Sequence, residues 1–279
     1  MIEIKIFIDS SKIEEIEKAK SYGILDGVTT NPSLIKEAVE SEKNKGKIIN
    51  MKEYIRKILI LARGLPVSLE VIGADYKEMV EEGKKLYKMF NPVAGNVYIK
   101  IPVNPSFEEK SINNFDGIKA IKELSINKIP VNCTLIFTPE QALLAAKSGA
   151  KFVSPFAGRI DDFIRSQNNM SFGKSDYFPA FGMEKNNQLM EDNGIVSGVD
   201  LVKQIVMIFK KYVIKETEVL AASIRNPRQL REAALAGADI ATVPMDVIER
   251  LLMHYKTREG MQKFTRDIIP EYAELLKNK

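Results

Sequence analysis

The chain has 279 residues, 45% of them hydrophobic and 28% charged, with a formal net charge of +4. That suits one large α/β domain or two small ones, and the scattered lysines form a solvated surface, not a nucleic-acid footprint. A single histidine (His254) and a single cysteine (Cys133) exclude an internal disulfide and a zinc site of several His or Cys ligands, and they argue against Ser-His-Asp or Cys-His catalysis.

The first segment, Met1 to Asp9, alternates like a strand. It lacks the basic start and apolar run of a signal peptide, and no later segment has the length or purity of a membrane span. With one cysteine, this leads us to expect a cytoplasmic protein. Further apolar runs follow at 27–30, 67–72, 97–103, 131–136, 152–155, 218–222 and 240–243, the first lying at 4–8. Between them the spacing predicts helices at 13–22, 51–62, 77–90, 117–124, 139–147, 199–212, 227–236 and 245–254. A final stretch, 260–277, reads as an extra C-terminal helix that covers its own barrel or docks on a second copy, so a homo-oligomer is one of two expectations.

Strand-then-helix alternation implies a parallel sheet. Eight such units favour a (β/α)8 TIM barrel over an open doubly wound sheet, and no Gly-x-Gly-x-x-Gly fingerprint supports the latter. No Walker A motif is present either. No linker rich in Pro, Gly or Ser divides the chain, so 1–279 is expected to be one domain. Two connections are long: 104–116 and 159–196. Both follow strands and so belong to the catalytic face of a barrel, as lid or substrate wall, or else as surface excursion or oligomer contact.

Lys100, within Val97-Tyr98-Ile99-Lys100-Ile101-Pro102-Val103, is out of place in a buried strand. Burial disfavours the charged form of an amine, and a neutral amine attacks a carbonyl to give a Schiff base. The alternative is a lysine that snorkels from the strand end. Other strand ends carry Asp9, then Thr29, Thr30 and Asn31, then Glu70, Asn132, Thr134 and Ser154. Burying so many polar groups is costly unless they satisfy one another or a ligand.

Ser223-Ile224-Arg225-Asn226-Pro227 adds an anion signal. Pro227 suits a first helical turn, which puts Ser223 and Arg225 at a helix N-terminus, beside one of the last barrel strands. The alternative is that Arg225 makes only an ion pair.

Several segments together resemble the transaldolase family. They are Phe7-Ile8-Asp9, Gly27-Val28-Thr29-Thr30-Asn31-Pro32-Ser33, Ile99-Lys100-Ile101-Pro102, Val131-Asn132-Cys133-Thr134, Ser154-Pro155-Phe156-Ala157-Gly158-Arg159-Ile160-Asp161 and Ala221-Ala222-Ser223-Ile224-Arg225. The resemblance implies a class I aldolase barrel that moves a dihydroxyacetone unit between sugar phosphates, in the non-oxidative pentose phosphate pathway, without metal or organic cofactor. It makes Lys100 the Schiff-base lysine and Asp9 the acid/base. Glu70 and Thr134 hold a proton-shuttling water. Asn31, Asn132 and Ser154 bind the dihydroxyacetone hydroxyls, and Arg159, Ser223 and Arg225 hold the phosphate. Fructose 6-phosphate aldolases share the barrel and the lysine, but typically carry glutamine and tyrosine where this chain has Glu70 and Phe156, so both positions favour transfer over release of free dihydroxyacetone. A sugar-phosphate-binding barrel without catalysis is the alternative of another class. Asn104 stands where threonine is expected, and 104–116 is longer than usual for the family.

Overall fold

The computed structural model describes residues 3–109 and 111–276. Lys110, the first two residues of the alternating start and the expected helix end at Lys277 lie outside them. The strands of the barrel are β1 (Lys5–Asp9), β2 (Gly27–Thr29), β3 (Val67–Glu70), β4 (Val97–Pro102), β5 (Val131–Ile136), β6 (Phe152–Pro155), β9 (Glu218–Ala221) and β10 (Ile240–Val243). They close into one parallel barrel in the order β1-β10-β9-β6-β5-β4-β3-β2. The fold is therefore the expected (β/α)8 barrel. No helix among the described residues is long and apolar enough to cross a membrane.

Successive strand residues face opposite sides, and two hydrophobic clusters divide along that parity. Val97, Ile99 and Ile101 of β4 join the large outer cluster under the helices. Tyr98 packs instead with Phe7, Phe152, Leu220 and Ile240 inside the barrel. Tyr98 stacks on Phe152 at 4.7 Å, and Phe7 meets the same ring edge-on at 5.9 Å. Gly27 is required here, because a Cβ would strike the Phe7 ring. These residues plug the barrel floor, as layered side chains do in this fold. Two residues further along each strand the same parity brings up Asp9, Thr29, Lys100, Ser154 and Thr242, a polar layer directly above the plug.

The helices begin with recognisable devices. Asn31, Thr138 and Asn226 each cap a helix whose first residue is proline: α2 (Pro32–Asn44), α6 (Pro139–Lys147) and α9 (Pro227–Ala236). The others are α1 (Ile13–Ser21), α3 (Met51–Leu61), α4 (Tyr76–Ala94), α5 (Asp116–Ile126), α7 (Ala157–Gln167), α8 (Gly198–Lys211), α10 (Met245–Arg250), α11 (Tyr255–Arg266) and α12 (Pro270–Leu276).

Three expectations change. The long connection expected from Arg159 begins as helix α7, so the excursion proper starts after Gln167 and includes a small antiparallel hairpin, β7 (Glu184–Lys185) with β8 (Gln188–Leu189). Helix α7 buries Asp161 and Arg165 among its apolar residues, and charge at those positions hides its amphipathic pattern. Helix α2 is not among the expected helices; its apolar stripe of Leu34, Ile35, Ala38 and Val39 is short, and of these only Ala38 is buried. The C-terminal stretch is two helices split before Pro270, and neither α11 nor α12 has a buried residue, so they do not seal the barrel.

Candidate active site

Strand register sets the centre of the site. Glu70 on β3, Lys100 on β4 and Asn132 on β5 are aligned neighbours. Lys100 is 4% exposed, with Nζ 3.2 Å from Glu70 Oε2 and donating to the Thr30 carbonyl at 3.3 Å. The Phe156 ring centre lies 5.9 Å from the same nitrogen. The snorkelling alternative is thus not what the chain does: the amine stays in the barrel, beside one carboxylate. That carboxylate offsets part of the cost of burying the amine.

Asp9 lies at the end of β1 and accepts from the Thr29 hydroxyl at 2.6 Å. Thr29 Oγ1 is also 2.6 Å from Thr242 Oγ1. Thr29 has one hydroxyl proton and spends it on Asp9, so Thr242 is the donor of that second bond. The chain Thr242 to Thr29 to Asp9 fixes the carboxylate's orientation across three strands.

Asn132 is fully buried. Its Nδ2 donates to Ser68 Oγ at 3.1 Å, and its Oδ1 accepts from the Ser154 hydroxyl at 2.6 Å. Thr134 is equally buried, and its hydroxyl has no hydrogen-bond partner among the described residues. Asn31 spends Oδ1 on capping α2 at 2.9 Å. Its Nδ2 makes no hydrogen bond among the described residues.

A cavity of about 670 Å³ opens above this layer at the C-terminal ends of the strands. Of the residues singled out in the sequence, Asp9, Thr29, Asn31, Lys100, Ser154, Phe156, Arg159, Ser223 and Arg225 line it. Glu70, Asn132 and Thr134 do not; Glu70 pairs with Lys100 and Asn132 bonds Ser154, both in the lining. The volume falls within the usual range for small-molecule sites; the lining mixes the carboxylates Asp9, Glu37 and Asp246 with the cations Lys100, Lys174, Arg159 and Arg225, of which the last two suit an anionic group.

At one end, Arg159 lies over the Phe156 ring, 5.0 Å from its centre. Ser223 adopts a left-handed backbone with φ of 59°, which strains a residue other than glycine. Its carbonyl accepts from Gly158 N–H at 3.1 Å, and a Cβ on Gly158 would fall on that oxygen. Arg225 Nη2 donates to Asp162 Oδ2 at 2.8 Å, while Nε is buried without a partner. Arg225 therefore does make an ion pair, and still faces the cavity.

Some lining residues carry no sequence signal. Lys174 and Ser175 come from the excursion after α7, so part of it is a wall of the cavity. It is pinned there by Arg165, which donates to the Asp176 carbonyl and lies over Phe172 and Phe178 at 5.1 and 5.0 Å. Thr242 is readable as a polar residue in an apolar strand, on the same ground as Ser154. By contrast, no described residue of 103–115 lines the cavity.

The model of the family described as transaldolase/fructose-6-phosphate aldolase matches residues 6–278. The chain belongs to that family. Among its relatives, a probable transaldolase of Thermoplasma acidophilum is 41% identical over 265 residues, covering 95% of both chains. A probable transaldolase of Nitrosopumilus maritimus is 40% identical over 264 residues, covering 95% of this chain and 94% of its own. A third, from Chlorobium phaeobacteroides, is 40% identical over 264 residues, with 95% and 97% covered. The family is one of enzymes.

Proposed function

We propose that the enzyme is a Schiff-base transaldolase. It would move a dihydroxyacetone unit from sedoheptulose 7-phosphate to glyceraldehyde 3-phosphate, giving erythrose 4-phosphate and fructose 6-phosphate, in the non-oxidative pentose phosphate pathway. The observation that carries this reading is Lys100, buried against Glu70 on the floor of a cavity that also presents Asp9, Arg159, Ser223 and Arg225.

In this reading Lys100 Nζ attacks the ketose carbonyl to give a carbinolamine. Loss of water leaves a protonated imine, with Glu70 and the free Thr134 hydroxyl handling the water and its proton. Asp9 takes the proton of the sugar hydroxyl as the carbon–carbon bond breaks, and the electron pair flows into the imine to give an enamine. The first aldose phosphate leaves. The enamine attacks the acceptor aldehyde, Asp9 returns its proton, and water releases the ketose product from Lys100. Asn31, Asn132 and Ser154 would bind the dihydroxyacetone hydroxyls, and the Ser154–Asn132 hydrogen bond supports their acting together. Arg159, Ser223 and Arg225 hold the phosphate at the other end.

The test is borohydride reduction in the presence of fructose 6-phosphate, followed by peptide mass analysis. An adduct on Lys100 is expected. A folded protein that gives none sinks the Schiff-base reading and favours a binding barrel without catalysis.

Transfer as opposed to aldol cleavage rests on Glu70 and on Phe156, whose apolar ring lies near Lys100 and gives the enamine no proton. Phe156→Tyr is expected to raise release of free dihydroxyacetone from fructose 6-phosphate, without acceptor, by about tenfold or more, the lower end of what a placed acid or base supplies. If the unaltered enzyme already releases dihydroxyacetone as fast without an acceptor, it is an aldolase.

Gly158→Ala tests the phosphate end. The added methyl must displace the Ser223 carbonyl and the Arg225 side chain. At the usual cost of overpacking, titration with inorganic phosphate is expected to show affinity lower by about tenfold or more.

A further inference from the structure

Behind the phosphate end lie two buried polar side chains that the proposed chemistry leaves unused. Gln229, in the first turn of α9, is 2% exposed, and Asp161, on α7, is 3% exposed. Their hydrogen bonds form one line. The Arg225 backbone N–H donates to Gln229 Oε1 at 2.7 Å. Gln229 Nε2 donates to Asp161 Oδ2 at 2.7 Å. Gly198 N–H, at the start of α8, donates to Asp161 Oδ1 at 2.7 Å.

The segment this line reaches needs holding. Ser223 sits in a strained backbone conformation, which persists only where the surroundings over-determine it. Gly158 holds it from one side through the Ser223 carbonyl. Gln229 holds it from the other through the Arg225 N–H. Helices α7, α8 and α9 are thereby tied to the two residues placed on the phosphate.

We infer that Gln229 and Asp161 are positioning residues for the anion end of the substrate, setting the pose of Ser223 and Arg225 through a hydrogen-bond relay. This rests on the reading that the substrate is a sugar phosphate. The chemistry of the relay is directional. Gln229 must accept at one end and donate at the other, and Asp161 must accept at both oxygens. Desolvation pushes the Asp161 carboxyl up to about 7, against the opposing pull of the Gly198 N–H and nearby Arg165. A carboxyl kept in so unfavourable a place is consistent with a task that an apolar residue would not perform.

Directionality gives a test that mere packing would not pass. Gln229→Glu sets two carboxyls face to face. Asp161→Asn sets two amide donors face to face. The double variant Asp161→Asn/Gln229→Glu exchanges amide and carboxylate and restores every bond: Gly198 N–H to the Asn oxygen, the Asn amide to Glu, and Arg225 N–H to the other Glu oxygen. Three quantities are read on the full chain: KM and kcat for fructose 6-phosphate with erythrose 4-phosphate as acceptor, and the calorimetric Kd for inorganic phosphate.

Each single variant is expected to raise KM and the phosphate Kd about tenfold, with kcat within about threefold, and the double variant to bring both back to within about threefold of the starting protein. Singles with unchanged phosphate Kd, or a kcat loss without a KM change, overturn the inference. So does a double variant that is unfolded, or that folds and still binds weakly. Where a single variant does not fold, the double variant decides alone. The phosphate Kd is independent of turnover. An unaltered enzyme that binds phosphate but transfers nothing counts against the proposed reaction, and the relay is still read from Kd.

Discussion

Lys100→Ala is expected to leave no measurable transfer from fructose 6-phosphate, a drop on the order of ten-thousandfold or more, because the covalent route is removed and no other group is placed to replace it. Alanine at this point cannot attack the carbonyl. Glu70 remains, but a carboxylate beside the carbonyl makes a poor substitute for an amine that becomes an electron sink. Borohydride trapping should fail in the same variant, while sugar phosphate still binds through the far end of the cavity. The fold should survive. Glu70 loses its only ion-pair partner among the described residues, yet its side chain is 14% exposed and can be hydrated. The cost to stability is expected to be about 1–3 kcal/mol, the usual penalty for a polar group left unpaired. Residual turnover within about a hundredfold of the starting enzyme would mean that Lys100 is not the nucleophile.

The ground for that expectation is legible in the amino-acid sequence itself. The β-strands announce themselves as apolar runs, and a lysine inside one is conspicuous. What one sequence cannot display is the partnership across strands. Glu70 and Lys100 are thirty positions apart and become neighbours only through register. The Thr242–Thr29–Asp9 chain is hidden in the same way, since its members sit on the first, second and last strands of a closed barrel. Helix α7 shows the opposite failure. Its buried Asp161 and Arg165 are residue types that pattern reading assigns to solvent, and their burial follows from contacts made by other helices and by the excursion. The pieces of the site that escape the sequence are those whose reason for being there lies in another element.

Arg225→Ala is expected to raise KM for fructose 6-phosphate about a hundredfold, with kcat falling by less than about tenfold, since a charge-assisted bond to a phosphate is worth roughly 1.5–3 kcal/mol. The structure gives a second reason for a large effect. Arg225 neutralises Asp162 at 2.8 Å, and Asp162 Oδ1 is buried without a hydrogen bond of its own. Removing the guanidinium therefore subtracts a cation and also leaves Asp162, just behind the cavity wall, with only Arg165, 3.8 Å from its Oδ1, to offset its charge. The repulsive part can be separated from the attractive part. Asp162→Ala in the Arg225→Ala background should recover part of the lost affinity, because it removes the repulsion without restoring the grip. Steady-state kinetics of both variants, with calorimetric titration of inorganic phosphate, read this directly. A collapse of kcat at unchanged KM would move Arg225 from phosphate binding to the chemical step. Equal losses with and without Asp162 would show that Asp162 adds no repulsion once Arg225 is gone.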